Sequence, residues 1–221
     1  MTKHLLLLPV LAGCSSNGVH GKVGGFDVEI QSAFLIYDAP PEGSDGLAIV
    51  AMSSMPSACA AYRYWYDEVL KAESSDDLAK AWATAFPEQF WEVLVEVVND
   101  GSSWPVSGSE WQGLGVQENP AAGRLSAELI QHNAHRPAEW FDGLQGYENH
   151  YSSNAGFAKW RKAVPGEHLS GVFSTSTVDP DGVPTGQVKI EFNATPCPNL
   201  RVDAVFSETP AEATDTGAVE E

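Results

Sequence analysis

Two histidines three positions apart, His132 and His135, are the first residues whose type and spacing suggest chemistry. On a helix such a pair converges on one metal ion; on a strand the two rings leave opposite faces. The run RLSAELIQH puts Leu125, Ala127 and Leu129 on one face, and so reads as a strand entering a loop. Neither a Cys-x-x-Cys nor a His-Glu-x-x-His pattern accompanies the pair, although Glu139 and Asp142 are close in sequence. Two solvent-facing histidines and no metal are expected. Glu92 and Glu96 share a strand face, as the paired carboxylates of glycosidases do, but the solvated face of a half-buried strand explains them. Asp179-Pro180-Asp181-Gly182 has the acids of a calcium loop without its third ligand position or closing glutamate, and turn chemistry accounts for it. No Gly-x-Ser-x-Gly elbow, Walker sequence or dinucleotide glycine pattern occurs. No catalytic residue, metal site or cofactor is therefore expected.

The aromatic residues are the other candidates. Seven tryptophans are present, and Trp104 and Trp111 fall in an irregular Gly/Ser-rich stretch. Aromatic rings on a loop can stack on sugars or anchor a protein partner, whereas rings beneath a long loop pack on the core. These two residues are the candidate binding positions.

Charge narrows the partners. The 221-residue chain has 12 Lys and Arg against 30 Asp and Glu, a formal charge of −18. Nucleic acid needs a basic stripe to displace counterions, so it is not an expected partner. Direct adsorption to an anionic membrane is disfavoured on the same ground. A hydrophobic content of 43% and this length support one globular domain with its own core.

The elements that position these residues follow from periodicity. Residues 26–36 alternate through Phe26, Val28 and Ile30, predicting a half-buried strand, with a second at 47–52. From Ser57, an N-cap candidate, apolar residues recur at helical steps; a second helix starts at Ser74 with acids in its first turn and stops at Pro87. Residues 90–98 favour a strand by their β-branched content. The stretch 102–120 is read as irregular, and 135–156 as a long loop with a helical turn or two. HLSGVFSTSTV, DPDGVPTG and QVKIEFNATPC read as strand, turn and strand. Residues 208–221 are read as a disordered acidic tail.

The amino terminus is read differently from the rest. Lys3 and the apolar stretch 5–11 precede Leu11-Ala12-Gly13-Cys14. An apolar stretch this short is a secretory signal rather than a spanning helix. These residues resemble the lipobox of bacterial lipoprotein precursors. The resemblance implies cleavage after Gly13, a signal peptide at 1–13, and diacylglycerol on the Cys14 thiol, so that the membrane is reached through lipid. Ser15 then leans toward an outer-membrane or surface location. A buried amino-terminal strand with a structural cysteine is the alternative. Residues 14–25, rich in Ser and Gly, are expected to be a flexible tether.

Lipidation removes Cys14 from the thiol count. Cys59 and Cys197 remain, an even pair expected to form one disulfide in an oxidising compartment, with two unpaired thiols as the alternative. The late strands also resemble a loose group of uncharacterised bacterial lipoproteins through Gly171, Phe173, Gly186, Val188, Ile190, Phe192, Ala194 and Cys197, with Ser32-Ala33 leading to Cys59. That signature implies a fold and carries no chemistry. The expectation is a mainly β (α+β) domain over 26–207, an antiparallel β-sandwich or open barrel with a helical excursion near 57–86. In function it is a lipid-anchored envelope protein, structural or binding in role. A protein or glycan module using the Trp104 and Trp111 loop is the alternative, and a hydrolase a third.

Overall fold

The computed structural model describes residues 17–38, 46–99, 104–114, 124–133, 147–164 and 166–200. In chain order the strands and helices are β1 (Gly18–His20), β2 (Ser32–Asp38), β3 (Gly46–Ser53), α1 (Ala58–Val69), α2 (Ser75–Ala85), β4 (Gln89–Asn99), β5 (Glu110–Leu114), β6 (Arg124–Asn133), β7 (Tyr147–Val164), β8 (His168–Val178) and β9 (Pro184–Ala194). Among the described residues all nine strands belong to one antiparallel sheet, ordered β1-β9-β8-β7-β6-β4-β3-β2, with β5 paired to β7 off that path. The sheet curls until β2 meets the chain leaving β9. Leu35 N–H in β2 donates to Thr195 O at 2.8 Å, and Cys197 N–H donates to Leu35 O at 2.8 Å. Of the two expected architectures, the single continuous ladder makes this the open barrel.

Side-chain alternation separates two apolar clusters. Val93, Val95, Val97, Leu125 and Leu129 point into the barrel with Trp160, Phe173, Ile190 and Phe192. The opposite faces of β2, β3, β4 and β6 meet the helices: Phe34, Ile49, Leu94 and Ile130 pack with Tyr62, Trp65, Leu78, Trp82 and Phe86. Strand β3 is therefore covered on both sides, and every residue from Ala48 to Ser53 is buried. That is the physical reason its sequence is a run of apolar residues rather than an alternation. Among the described residues no helix is long and apolar enough to cross a membrane.

The two helices start differently. Ser74 caps α2 as expected, accepting from Asp77 N–H at 3.3 Å, and Asp76 and Asp77 sit in its first turn. Ser57 stands at the start of α1 but its side chain makes no cap. Ser32, the first residue of β2, takes that role: its Oγ accepts from Ala58 N–H at 3.4 Å and donates to Met55 O at 2.6 Å.

Several expected boundaries move. Of the tether expected at 14–25, Gly18–His20 is instead an edge strand on β9, and Val23 is fully buried. Val19 and Val23 supply the apolar contacts, while Gly21, Gly24 and Gly25 take the positive φ that turns the chain between them. Residues 26–31 lie outside any strand, and β2 starts only at Ser32. The stretch 102–120 contains β5, and the expected loop 135–156 gives way from Tyr147 to the 18-residue β7. Bulges between Ser153 and Ala155 and between Trp160 and Lys162 break the alternation of β7 and hide it from a period-two reading. Residues 1–13 with their apolar stretch, Cys14, His135, Glu139, Asp142 and the tail 208–221 lie outside the described residues.

One glycine in β7 is required by close approach. A Cβ on Gly156 would stand 2.1 Å from Ser174 O of the neighbouring strand. Gly156→Ala is expected to cost about 2–3 kcal/mol by forcing β7 and β8 apart, read as a lower urea midpoint at unchanged slope.

Candidate functional site

The chemically richest place is a buried cluster between α1 and the sheet. Strand β4 turns Glu92 toward the helices, and β6 sets His132 opposite Phe90 on the same face. Tyr62 comes from the apolar face of α1, which is buried through Ala58, Tyr62, Trp65 and Val69. Its hydroxyl donates to Glu92 Oε1. His132 Nε2 lies 2.8 Å from Glu92 Oε2. Glu92 is 4% exposed and His132 3%. The two groups share one hydrogen, its donor set by the histidine tautomer. The imidazole stacks on Phe90 at 4.5 Å between centroids, with Trp82 at 5.7 Å.

This overturns two expectations. Glu92 and His132 were expected to face solvent, and both lie beneath the helices. The cause is that the two helices cover the β4–β6 surface, so a carboxylate there needs partners from within the protein. Two signals in the sequence point this way. Glu92 shares its strand face with Leu94, and Tyr62 lies on a helical stripe where a buried hydroxyl requires an acceptor.

Further along the same face the polar groups open outward. Ser126 Oγ donates to Glu96 Oε2 at 3.3 Å. Glu128 Oε2 accepts from Ser152 Oγ at 2.7 Å and contacts His150 Nε2. These groups are half-buried, and Glu96 is joined to its neighbouring strand rather than to Glu92. Among the described residues no group of three His, Cys, Asp or Glu side chains is placed to hold a metal ion. Asp179 spends its carboxylate on its own turn, accepting from Asp181 N–H at 3.1 Å and Val183 N–H at 2.8 Å, while Gly182 takes φ 77°.

Trp104 and Trp111 both pack against the barrel core. Trp111 meets Trp160 edge-on at 5.3 Å. The apolar cleft beside Trp104, bounded by Leu35, Ala48 and Leu169, holds about 10 Å³, room for a single water. Both rings are half-buried.

Cys59 and Cys197 form a disulfide, with Cα atoms 5.8 Å apart. Cys59 lies in the first turn of α1, and Cys197 donates its backbone N–H to Leu35 where the barrel closes. The bond thus fastens the helix to the seam. Comparison with protein-family models, curated proteins and solved structures gives no match.

Proposed function

We propose that this chain is an exported bacterial envelope protein held at the membrane by acyl chains on Cys14, with a barrel that serves in structure or binding. The observation that carries this reading is the Cys59–Cys197 disulfide. An oxidised pair belongs to an exported compartment, and its formation leaves Cys14 as the odd cysteine, inside Leu11-Ala12-Gly13-Cys14. A single acyl chain binds membranes only marginally, whereas two or more give stable attachment. Ser15 favours the outer membrane or cell surface as the destination. The Tyr62–Glu92–His132 cluster, closed off beneath α1, acts in holding that helix on the sheet rather than on a substrate.

Mass spectrometry of the protein isolated from a bacterial envelope tests this directly. The expected species lacks residues 1–13, carries acyl groups on Cys14, and gains two hydrogens on reduction. A chain that retains Met1, or that ends in an unmodified Cys14, overturns the reading.

A further inference from the structure

The outer wall formed by β7, β8 and β9 is the part of the sheet that α1 and α2 leave uncovered. It is also where the positive charge of this acidic chain collects. Lys159, Arg161 and Lys162 are exposed on β7, and Lys189 on β9. The register makes them neighbours: Lys159 pairs with Val172, Val172 with Glu191, and Lys162 with Ser170. Glu191 is the acid within this group. Arg161 reaches it at 3.2 Å and Lys189 contacts it as well. Lys189, helped by Arg161, holds the Glu191 carboxyl below the usual carboxylate range, so it stays ionised and neutralised. Glu110, opposite Lys159 on β5, lies at the rim. Four of the chain's 12 basic residues thus lie on the faces of these strands with Glu191 and Glu110, while Glu167, Asp179 and Asp181 lie in the turns at the strand ends. Phe157, 45% exposed, stands beside Lys159 on this wall.

The amino terminus joins the domain at the same wall. β1 pairs with β9 at Gly18 and Glu191, and Asn17 Oδ1 accepts from Asn193 N–H at 2.7 Å. Three residue steps separate Cys14 from Asn17, a reach of at most about 11 Å. Strands lie about 4.8 Å apart, so β7 is only about 15 Å across the sheet from β1. Acyl chains on Cys14 would hold this wall near the headgroups. The helices lie across the barrel over β3 and β4, with Asp67, Glu68, Glu73, Asp76 and Asp77 on or between them.

We propose that the β7–β9 wall, through Lys159, Arg161, Lys162 and Lys189, is a docking surface for the anionic headgroups of the bilayer that carries the anchor. The proposal rests on the acyl-anchor reading for the closeness of that bilayer. The formal charge of −18 argues against adsorption only if charge is spread evenly. At physiological salt the screening length is about 8 Å, so headgroups sense the nearest wall and little of the acidic helices beyond it. Each basic residue at such a surface strengthens contact by about fivefold. Phe157 would enter the interface beside the lysine stems.

The test uses two forms of the protein: the chain purified from the envelope on its own anchor, and the full oxidised chain coupled through the Cys14 thiol to a maleimide lipid. Each is placed on phosphatidylcholine vesicles with or without phosphatidylglycerol, and lysine acylation is read by peptide mass spectrometry. Lys159, Lys162 and Lys189 are expected to react about threefold or more slowly on the anionic vesicles. Lys71 and Lys80 on the helical side should react equally on both. Protection should vanish at 1 M salt, where screening falls to about 3 Å. Lys159→Gln with Lys162→Gln should remove the remaining protection of Lys189 while circular dichroism stays unchanged. Equal rates on the two vesicles overturn the docking surface. So does protection by an added anionic polysaccharide but not by phosphatidylglycerol, which assigns another partner. Protection of the coupled chain, with an unmodified Cys14 in the envelope protein, keeps the surface and overturns the anchor.

Discussion

Replacing both Cys59 and Cys197 by serine is expected to lower the stability of the fold by about 4–5 kcal/mol. The two cysteines are 138 residues apart in sequence, and the bond between them restrains the unfolded chain across that span. For a domain of this size the loss corresponds to a fall in Tm of about 10–20 °C. The bond also lies at a vulnerable place, where the barrel closes through the two Leu35 backbone contacts. Reduction of the wild-type protein should reproduce the double variant, and amide exchange should accelerate first at Leu35, Cys197 and the first turn of α1. If reduction leaves the urea midpoint unchanged, the staple contributes nothing to the fold.

Truncating Glu92 is expected to be nearly as damaging. Glu92→Ala removes the carboxylate that the Tyr62 hydroxyl and His132 Nε2 both contact in a closed interior. Breaking a buried pair from one side costs about 3–5 kcal/mol. Glu92→Gln keeps an acceptor oxygen and should cost less, about 1–2 kcal/mol. Removing all three partners together, as Tyr62→Phe, Glu92→Leu and His132→Phe, should recover most of the loss. A double-mutant cycle of Glu92→Ala and His132→Ala measures the coupling by urea unfolding. Additive costs would show that the contact contributes no coupling energy.

The sequence was most readable where one face of an element meets water. The β8–β9 hairpin follows from alternation about Phe173, Thr175, Val188 and Ile190, with Asp181-Gly182 at the turn, and α2 from Ser74 and its acids. These are local signals. Glu92 and His132 were misplaced because their burial depends on α1 and α2 lying over β4 and β6, a tertiary fact invisible in the period of either strand. β7 was missed because its bulges interrupt the alternation and Gly156 sits in its middle. The leash expected at residues 14–25 had the composition of a linker, yet Val19 and Val23 found places on β9 and in the core. Charge misled in another way. A total over the chain says nothing of its distribution, and only the register of β7, β8 and β9 brings Lys159, Lys162 and Lys189 together.

The pairing of β1 with β9 also sets an order in time. Asn17 and Asn193, joined by one hydrogen bond, are 176 positions apart. A chain made from its amino terminus therefore has no partner for its first strand until almost all of the domain has been synthesised. Contacts this distant in sequence are slow to form, because chain entropy is lost before the contact is gained. Until then the edge of β9's future neighbour and the seam at Leu35 are unpaired, and an unpaired strand edge recruits other chains. Pairing of β1 with β9 is thus expected late in folding, read as late amide protection at residues 18–20, and the disulfide at Cys197 is in position to hold the nearby seam at Leu35.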